Sequence, residues 1–184
     1  MLRRDELAAL AEVVVERDLL VISDEVHAEL THEGATHIPF ASLSAEVAAR
    51  TVTVTSGSKA FNLAGARCAV AHIGVKALRD AVDDHRGLLF GQVGALGVEA
   101  LGPRGARGSV VGGVREVLAR NRRRLAEELP EGIGFVPPDA TYLAWLDCRA
   151  LGVGDDPSAF FQEHGKLMLF RGADFGAEGR ASPG

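Results

Sequence analysis

Three short runs of apolar and β-branched residues, each closed abruptly by small polar residues, constrain this chain more than any other feature. Leu19-Leu20-Val21-Ile22 ends at Ser23-Asp24, Thr51-Val52-Thr53-Val54-Thr55 ends at Ser56-Gly57-Ser58, and Cys68-Ala69-Val70-Ala71-His72-Ile73 ends at Gly74. Unbroken runs of this length describe strands buried on both faces, in contrast to the alternating pattern of a strand with one wet face. Ahead of the first run, Leu7, Leu10, Ala11 and Val14 recur at helical spacing and predict an amphipathic helix over roughly residues 5–17. Buried strands alternating with helices predict an α/β fold with a mostly parallel sheet and flanking helices.

Helical patterning dominates from Lys76 to about Leu129. In its last segment Val110, Val114, Val117, Asn121, Leu125 and Leu129 form a stripe, ended by Pro130-Glu131-Gly132. Beyond it the texture changes: Thr141–Leu146 is expected as a strand, Pro157–Gly165 as a short helix and Leu167–Phe170 as a further strand. Gly102–Gly108 has the composition of a loop. A domain boundary is expected inside the helix at about 110–129, separating residues 1–115 from a smaller α+β part at 116–184.

The charge balance narrows the partners. A net charge of −5 argues against a protein-wide attraction to nucleic acid or anionic membrane, and the arginines of 120–124 are expected on a solvated helix face. The apolar run Leu88–Val98 is too short to span a bilayer and contains Gln92. The N-terminal basic pair turns acidic at Asp5-Glu6, so no signal peptide is expected and a cytoplasmic location is. Cys68 and Cys148 lie far apart in apolar stretches and read as packed thiols. His27, His32 and His37 recur at a five-residue period, which does not cluster them on one helix face, so no metal site is expected.

In open parallel sheets ligands gather at the carboxyl ends of the strands. Here those ends carry Asp24-Glu25-Val26-His27 and Ser56-Gly57-Ser58-Lys59, with Arg67 following; Lys59 is one of only three lysines, with Lys76 and Lys166. Each residue alone has an ordinary structural explanation: a cap, a turn, an ion pair. Together, a carboxylate, an imidazole, two hydroxyls, a lysine and an arginine suit an anionic cofactor that has a basic ring nitrogen and an aldehyde. A serine–lysine pair of the penicillin-binding kind, Ser56-x-x-Lys59, lacks the Ser-Asp-Asn and Lys-Thr-Gly companions that chemistry needs.

Ser23–His27, His37–Leu43, Thr55–Gly65 and Pro138–Asp147 together resemble fold-type I pyridoxal-phosphate enzymes, within them the class I/II aminotransferase superfamily and its cystathionine β-lyase and C–S lyase branch. The resemblance implies that residues 1–115 are the C-terminal part of a cofactor-binding large domain and 116–184 a truncated small domain. It implies that Lys59 condenses with the aldehyde of pyridoxal 5′-phosphate and later takes the substrate Cα proton. Asp24 would pair with the ring nitrogen, His27 would face the cofactor 3-oxygen, and Ser56, Ser58 and Arg67 would hold the phosphate. The implied reaction is β-elimination from a cysteine thioether, giving thiol, pyruvate and ammonia. Class I/II transamination, or an inactive remnant serving as an interaction module, are the alternatives.

The family pattern further includes a phosphate-binding glycine turn, a ring-stacking aromatic and an Asn-Pro loop upstream, and a carboxylate-clamping arginine downstream. None of these is present, and Arg180 lacks the strand context of the clamp. The chain is therefore expected to be a fragment of a homodimeric enzyme, with uncovered sheet edges and faces.

Overall fold

In the computed structural model, residues 1–89, 93–101 and 107–176 are described. The expected loop at 102–108 and the stretch around Arg180 lie wholly or largely outside them, as does the middle of the Leu88–Val98 run. The chain divides into two compact units: residues 1–119 with 139–142, and residues 120–138 with 143–184.

The first unit opens with α1 (Arg4–Glu16), whose Glu6 carboxylate accepts from the Arg3 N–H at 2.7 Å. Leu7, Ala11 and Val14 of α1 are buried. Leu10, expected on the same stripe, is 48% exposed, so the buried face is narrower than the spacing suggested. Past the end of the helix Asp18 has a left-handed φ of +48°, while the Leu19 N–H reaches back to Val14 O at 2.9 Å. Leu19 is thus used in closing α1. For that reason β1 is Val21–Asp24, two residues later than the apolar run predicted.

β1 pairs in parallel with β2 (Thr51–Thr55), with Asp24 opposite Val54. The link between them carries a 3-10 turn at Phe40–Ser42 and the one-turn helix α2 (Ala45–Ala48), capped by the Ser44 hydroxyl. β3 (Val70–Ile73) then returns antiparallel to β2, with Thr55 opposite Val70. The sheet order is β1-β2-β3, so the parallel arrangement expected holds for one of its two pairings.

Nor are the strands buried on both faces throughout. Thr51 is fully buried and Val52 nearly so, but Ile22 is 76% exposed and Val70 51%. The reason is coverage: α1, α2 and the Phe40 turn pack on one side, where Leu7, Ala11, Val14, Phe40 and Val47 form a core with Val21 against it. Thr51 is locked to α2 by its hydroxyl, which donates to Val47 O at 2.7 Å.

Helices α3 (Lys76–Leu89), α4 (Ala95–Leu101) and α5 (Arg107–Glu128) follow. On α5 the residues that pack are Val111, Val114 and Leu118, around a second core made with Leu30 and Ala60. Val110 and Val117, expected on the stripe, are 51% and 44% exposed. The buried face is rotated by about one residue because it is set by Leu30 and Ala60 rather than by the most apolar arc.

The second unit holds the rest of α5, the two-residue strands β4 (Gly134–Phe135) and β5 (Leu146–Asp147), and α6 (Pro157–Gly165). α6 is capped by the Asp156 carboxylate, which accepts from Ala159 N–H and pairs with Arg171 at 3.0 Å. The strand expected at Thr141–Leu146 begins only at Leu146. Thr141 sits at φ +73°, which no strand residue adopts. The strand expected at Leu167–Phe170 is absent: no partner strand lies beside it among the described residues, and Met168 and Phe170 are over 80% exposed. Both cysteines are free, and burial pushes the Cys148 thiol up from its ordinary value. No helix among the described residues is long and apolar enough to cross a membrane, and no cluster of metal-ligating side chains occurs among them.

Leu30 is 1% exposed at the centre of the second core. Leu30→Ala is expected to destabilise the first unit by about 2–4 kcal/mol, the usual cost of a cavity at a fully buried leucine. Urea denaturation followed by circular dichroism measures it; a loss under about 1 kcal/mol would show that this core is not a stability centre.

Candidate active site

The pairing of the strands decides what meets at the sheet edge. Parallel register sets the end of β1 at Asp24 beside the end of β2 at Val54-Thr55, and the antiparallel return of β3 starts at the same edge. Asp24–His27, Ser56–Lys59 and the residues just before Val70, Arg67 and Cys68, are thereby delivered to one side of three strands. All six residues singled out in the sequence lie in these segments.

Each segment is held by its own backbone. The Asp24 carboxylate accepts from Val26 N–H at 3.2 Å, closing a tight turn that leaves Asp24 exposed. Glu25 N–H continues the sheet by donating to Val54 O at 2.8 Å. The lysine turn is pinned by Phe61 N–H to Gly57 O and Leu63 N–H to Ser58 O, both 3.0 Å. Ala60, next to Lys59, is 3% exposed in the core with Leu30 and Val111. Lys59 is half-buried, whereas Lys76 pairs with Asp80 on α3 and Lys166 donates to Glu163 O.

The Ser56 hydroxyl accepts from Ser58 N–H at 3.1 Å and donates to Cys68 O at 2.7 Å. It ties the lysine turn to the arginine loop, and its single proton is committed to that tie. Arg67 is exposed, with a left-handed φ of +45°. The loop is closely backed by α4: a Cβ on Gly97 would stand 2.7 Å from Cys68 Cβ and 2.8 Å from Ala66 O, so only glycine lets the helix approach.

His27 is half-buried, and its Nδ1 is 2.8 Å from the Thr141 hydroxyl. Its ring packs against Tyr142 at 5.3 Å between centroids. Burial, reinforced by the positive charge of Lys59 and partly offset by Asp24, holds His27 below the ordinary imidazole value.

Two groups escaped the sequence reading. Glu25 is a buried carboxylate that accepts from His37 Nε2 at 2.9 Å, the Ser23 hydroxyl at 3.0 Å and Phe40 N–H at 3.2 Å. It clamps the loop from His27 to Phe40 directly behind Asp24. The pairing of Glu25 with His37 has no local signature, since the partners are separated by an irregular loop. The second group is Thr141 with His32, bonded from a segment more than a hundred residues away.

His27 is expected to titrate below 6.5, the ordinary value. Lys59→Met should raise it and Asp24→Asn lower it further, read from the imidazole carbon protons by NMR. Because the folded value is the lower one, the unfolded chain takes up the proton first. His27 therefore costs stability as pH falls below the ordinary value. A His27 value unmoved by both substitutions would contradict the clustering of these three groups.

The aminotransferase class I and II family model matches residues 1–181. Among curated proteins, the chain is 35% identical over 174 residues to cystathionine β-lyase of Corynebacterium glutamicum, covering 91% of this chain and 46% of that protein. Cystalysin of Treponema denticola, whose structure contains a pyridoxal 5′-phosphate cofactor, superposes with a TM-score of 0.91 at 28% identity, over 98% of this chain and 48% of that one. N-succinyldiaminopimelate aminotransferase of Mycobacterium tuberculosis superposes with a TM-score of 0.80 at 29% identity, over 95% of this chain and 46% of that one. The chain spans about half the length of the relatives it matches. It belongs to the aminotransferase class I and II family, has part of the fold of the pyridoxal-phosphate transferases, and stands in the branch that holds the cystathionine β-lyases and C–S lyases.

Proposed function

We propose that this chain carries the lysine half of a pyridoxal 5′-phosphate site and serves β-elimination from a cysteine thioether. The observation that carries the reading is the delivery of Asp24, His27, Ser56, Ser58, Lys59 and Arg67 to one sheet edge by the β1-β2-β3 register. The donor set fits the cofactor: a half-buried amine for an aldehyde, a carboxylate for a basic ring nitrogen, and the Ser58 hydroxyl with a guanidinium for a phosphate. When bound, the cofactor supplies an electron sink for the Cα carbanion of an amino acid.

The chain's own residues supply the rest. Asp24 holds a proton on the ring nitrogen by charge. Arg67 and the Ser58 hydroxyl fix the phosphate, and Ser56 ties their two loops together. Lys59 Nζ anchors the cofactor and then takes the Cα proton as general base. The carbon–sulfur bond breaks with its electron pair leaving on sulfur, so that thioether and water give thiol, pyruvate and ammonia. The similarity to cystathionine β-lyases favours this outcome. Transamination is the second reading, favoured by the superposition on the succinyldiaminopimelate enzyme. The proposed substrate is a small-molecule amino acid, a cysteine thioether, the assembly is the homodimer implied for the family, and the location is the cytoplasm.

Incubation of the 184-residue chain with pyridoxal phosphate and borohydride is expected to attach the reduced cofactor to Lys59, found by peptide mass spectrometry, and to fail in Lys59→Ala. Cystathionine should then release pyruvate, and this too should be lost in Lys59→Ala. Amino-group transfer to a 2-oxo acid without pyruvate release would favour transamination. Absence of both the adduct and turnover would overturn the proposed site and leave an interaction module.

A further inference from the structure

Thr141 is held by its N–H, its carbonyl and its hydroxyl at once. A β-branched residue at φ +73° is held against its own preference, a conformation that costs on the order of 1–3 kcal/mol and persists only where the surroundings impose it. The surroundings here are specific. Thr141 N–H donates to Leu30 O at 2.7 Å, and its carbonyl lies 3.1 Å from His32 Nε2. His32 N–H donates to Asp139 O at 2.8 Å, beside the antiparallel bridge between Thr31 and Ala140. Leu30, Thr31 and His32 are all buried, so the strap to 139–141 rests on a rigid base. Its product is a hydroxyl 2.8 Å from His27 Nδ1.

The direction of that bond follows from counting protons. If His27 carried its proton on Nδ1, the Thr141 hydroxyl would accept it and need a second acceptor for its own hydrogen. The one side-chain partner of that hydroxyl among the described residues is His27, so its hydrogen would have to be given up to solvent. If the hydroxyl donates to Nδ1, every proton is used, and the imidazole proton sits on Nε2. Lys59 faces the ring with positive charge and Asp24 with negative, while Tyr142 packs on it; the neutral ring is the form this site favours.

Building on the proposed cofactor site, we infer that Thr141 is a positioning residue: its hydroxyl locks His27 in the Nε2–H tautomer, so that the ring presents an N–H donor to an anionic oxygen of the ligand at the sheet edge. The strain at Thr141 then has a purpose, since an unstrained extended residue would carry its side chain elsewhere. A plain structural role for the strap needs the backbone bonds of Thr141 and not its hydroxyl.

The test separates these. Long-range nitrogen–proton NMR of the wild-type chain without cofactor should show His27 protonated on Nε2. Thr141→Val, which removes only the hydroxyl's hydrogen-bonding capacity, should shift the ring toward a mixture of tautomers; Thr141→Ser should restore the wild-type signature. Thr141→Gly supplies a second deletion that accepts the positive φ without strain, so the hydroxyl's absence can be read in a chain free of that strain. Pyridoxal phosphate affinity, followed by absorbance, should fall roughly 5- to 20-fold in the Val and Gly variants, consistent with loss of one charge-assisted hydrogen bond, and return in Ser. A wild-type ring protonated on Nδ1, a tautomer unchanged in Val and Gly, or a changed tautomer with unchanged affinity would each overturn the assignment. Failure of the wild-type chain to bind the cofactor would instead overturn the proposed site, and the tautomer measurement would still judge the Thr141–His27 link on its own.

Discussion

The parallel register of β1 on β2 is the constraint from which the candidate site follows. Asp24 opposite Val54 means that the turn after the first strand and the turn after the second leave the sheet at the same level. A slip of one residue would reverse the face of every β1 side chain and withdraw Glu25 from the bond to Val54 O. The antiparallel β3 completes the arrangement by bringing Arg67 and Cys68 back to the edge they would leave in a wholly parallel sheet. Three strands therefore do what a longer sheet does elsewhere: they collect groups of opposite charge from distant parts of the chain.

Around that edge the structure concentrates both rigidity and strain. Ala60 is buried beside Lys59, and Glu25 is buried beside Asp24 with three donors on its carboxylate. Behind Asp24, Ser56, Ser58 and Lys59, each exposed or half-buried, stands a buried neighbour in the chain: Glu25, Gly57 or Ala60. Of the five non-glycine residues with left-handed φ among the described residues, Asn62, Arg67 and Thr141 lie in or against these segments. Strain of this kind is tolerated where local bonding over-determines the backbone, and it gathers where a side chain must be aimed. The approach of Gly97 to the Arg67 loop follows the same logic, with a missing Cβ in place of a strained one.

Much of this was legible in the sequence, and the parts that were not share a cause. The strand runs, the turns that end them and the six candidate residues those turns carry are local features, each declared within a few positions. α6 was bounded correctly at Pro157 and Gly165 because a carboxylate cap with proline at one end and glycine at the other is local too. What failed depended on partners. Leu10 and Val117 are apolar and helical but face away from the residues that define the cores. Leu167–Phe170 has strand composition and no strand to pair with among the described residues. Glu25 with His37, and Thr141 with His27, are contacts across 12 and 114 positions, for which composition and periodicity hold no signal.

The family resemblance supplied roles for residues that physical reasoning alone could only group; the geometry supplies the reasons they stand where they do. The central claim is that one sheet edge binds pyridoxal phosphate through Lys59. A crystal structure of the chain grown with that cofactor tests it most directly. The account predicts continuous density from Lys59 Nζ to the cofactor, the ring nitrogen beside Asp24, the phosphate against Ser58 and Arg67, and His27 Nε2 toward the ring oxygen. Cofactor density bound elsewhere, or an edge left vacant at saturating cofactor, would contradict it.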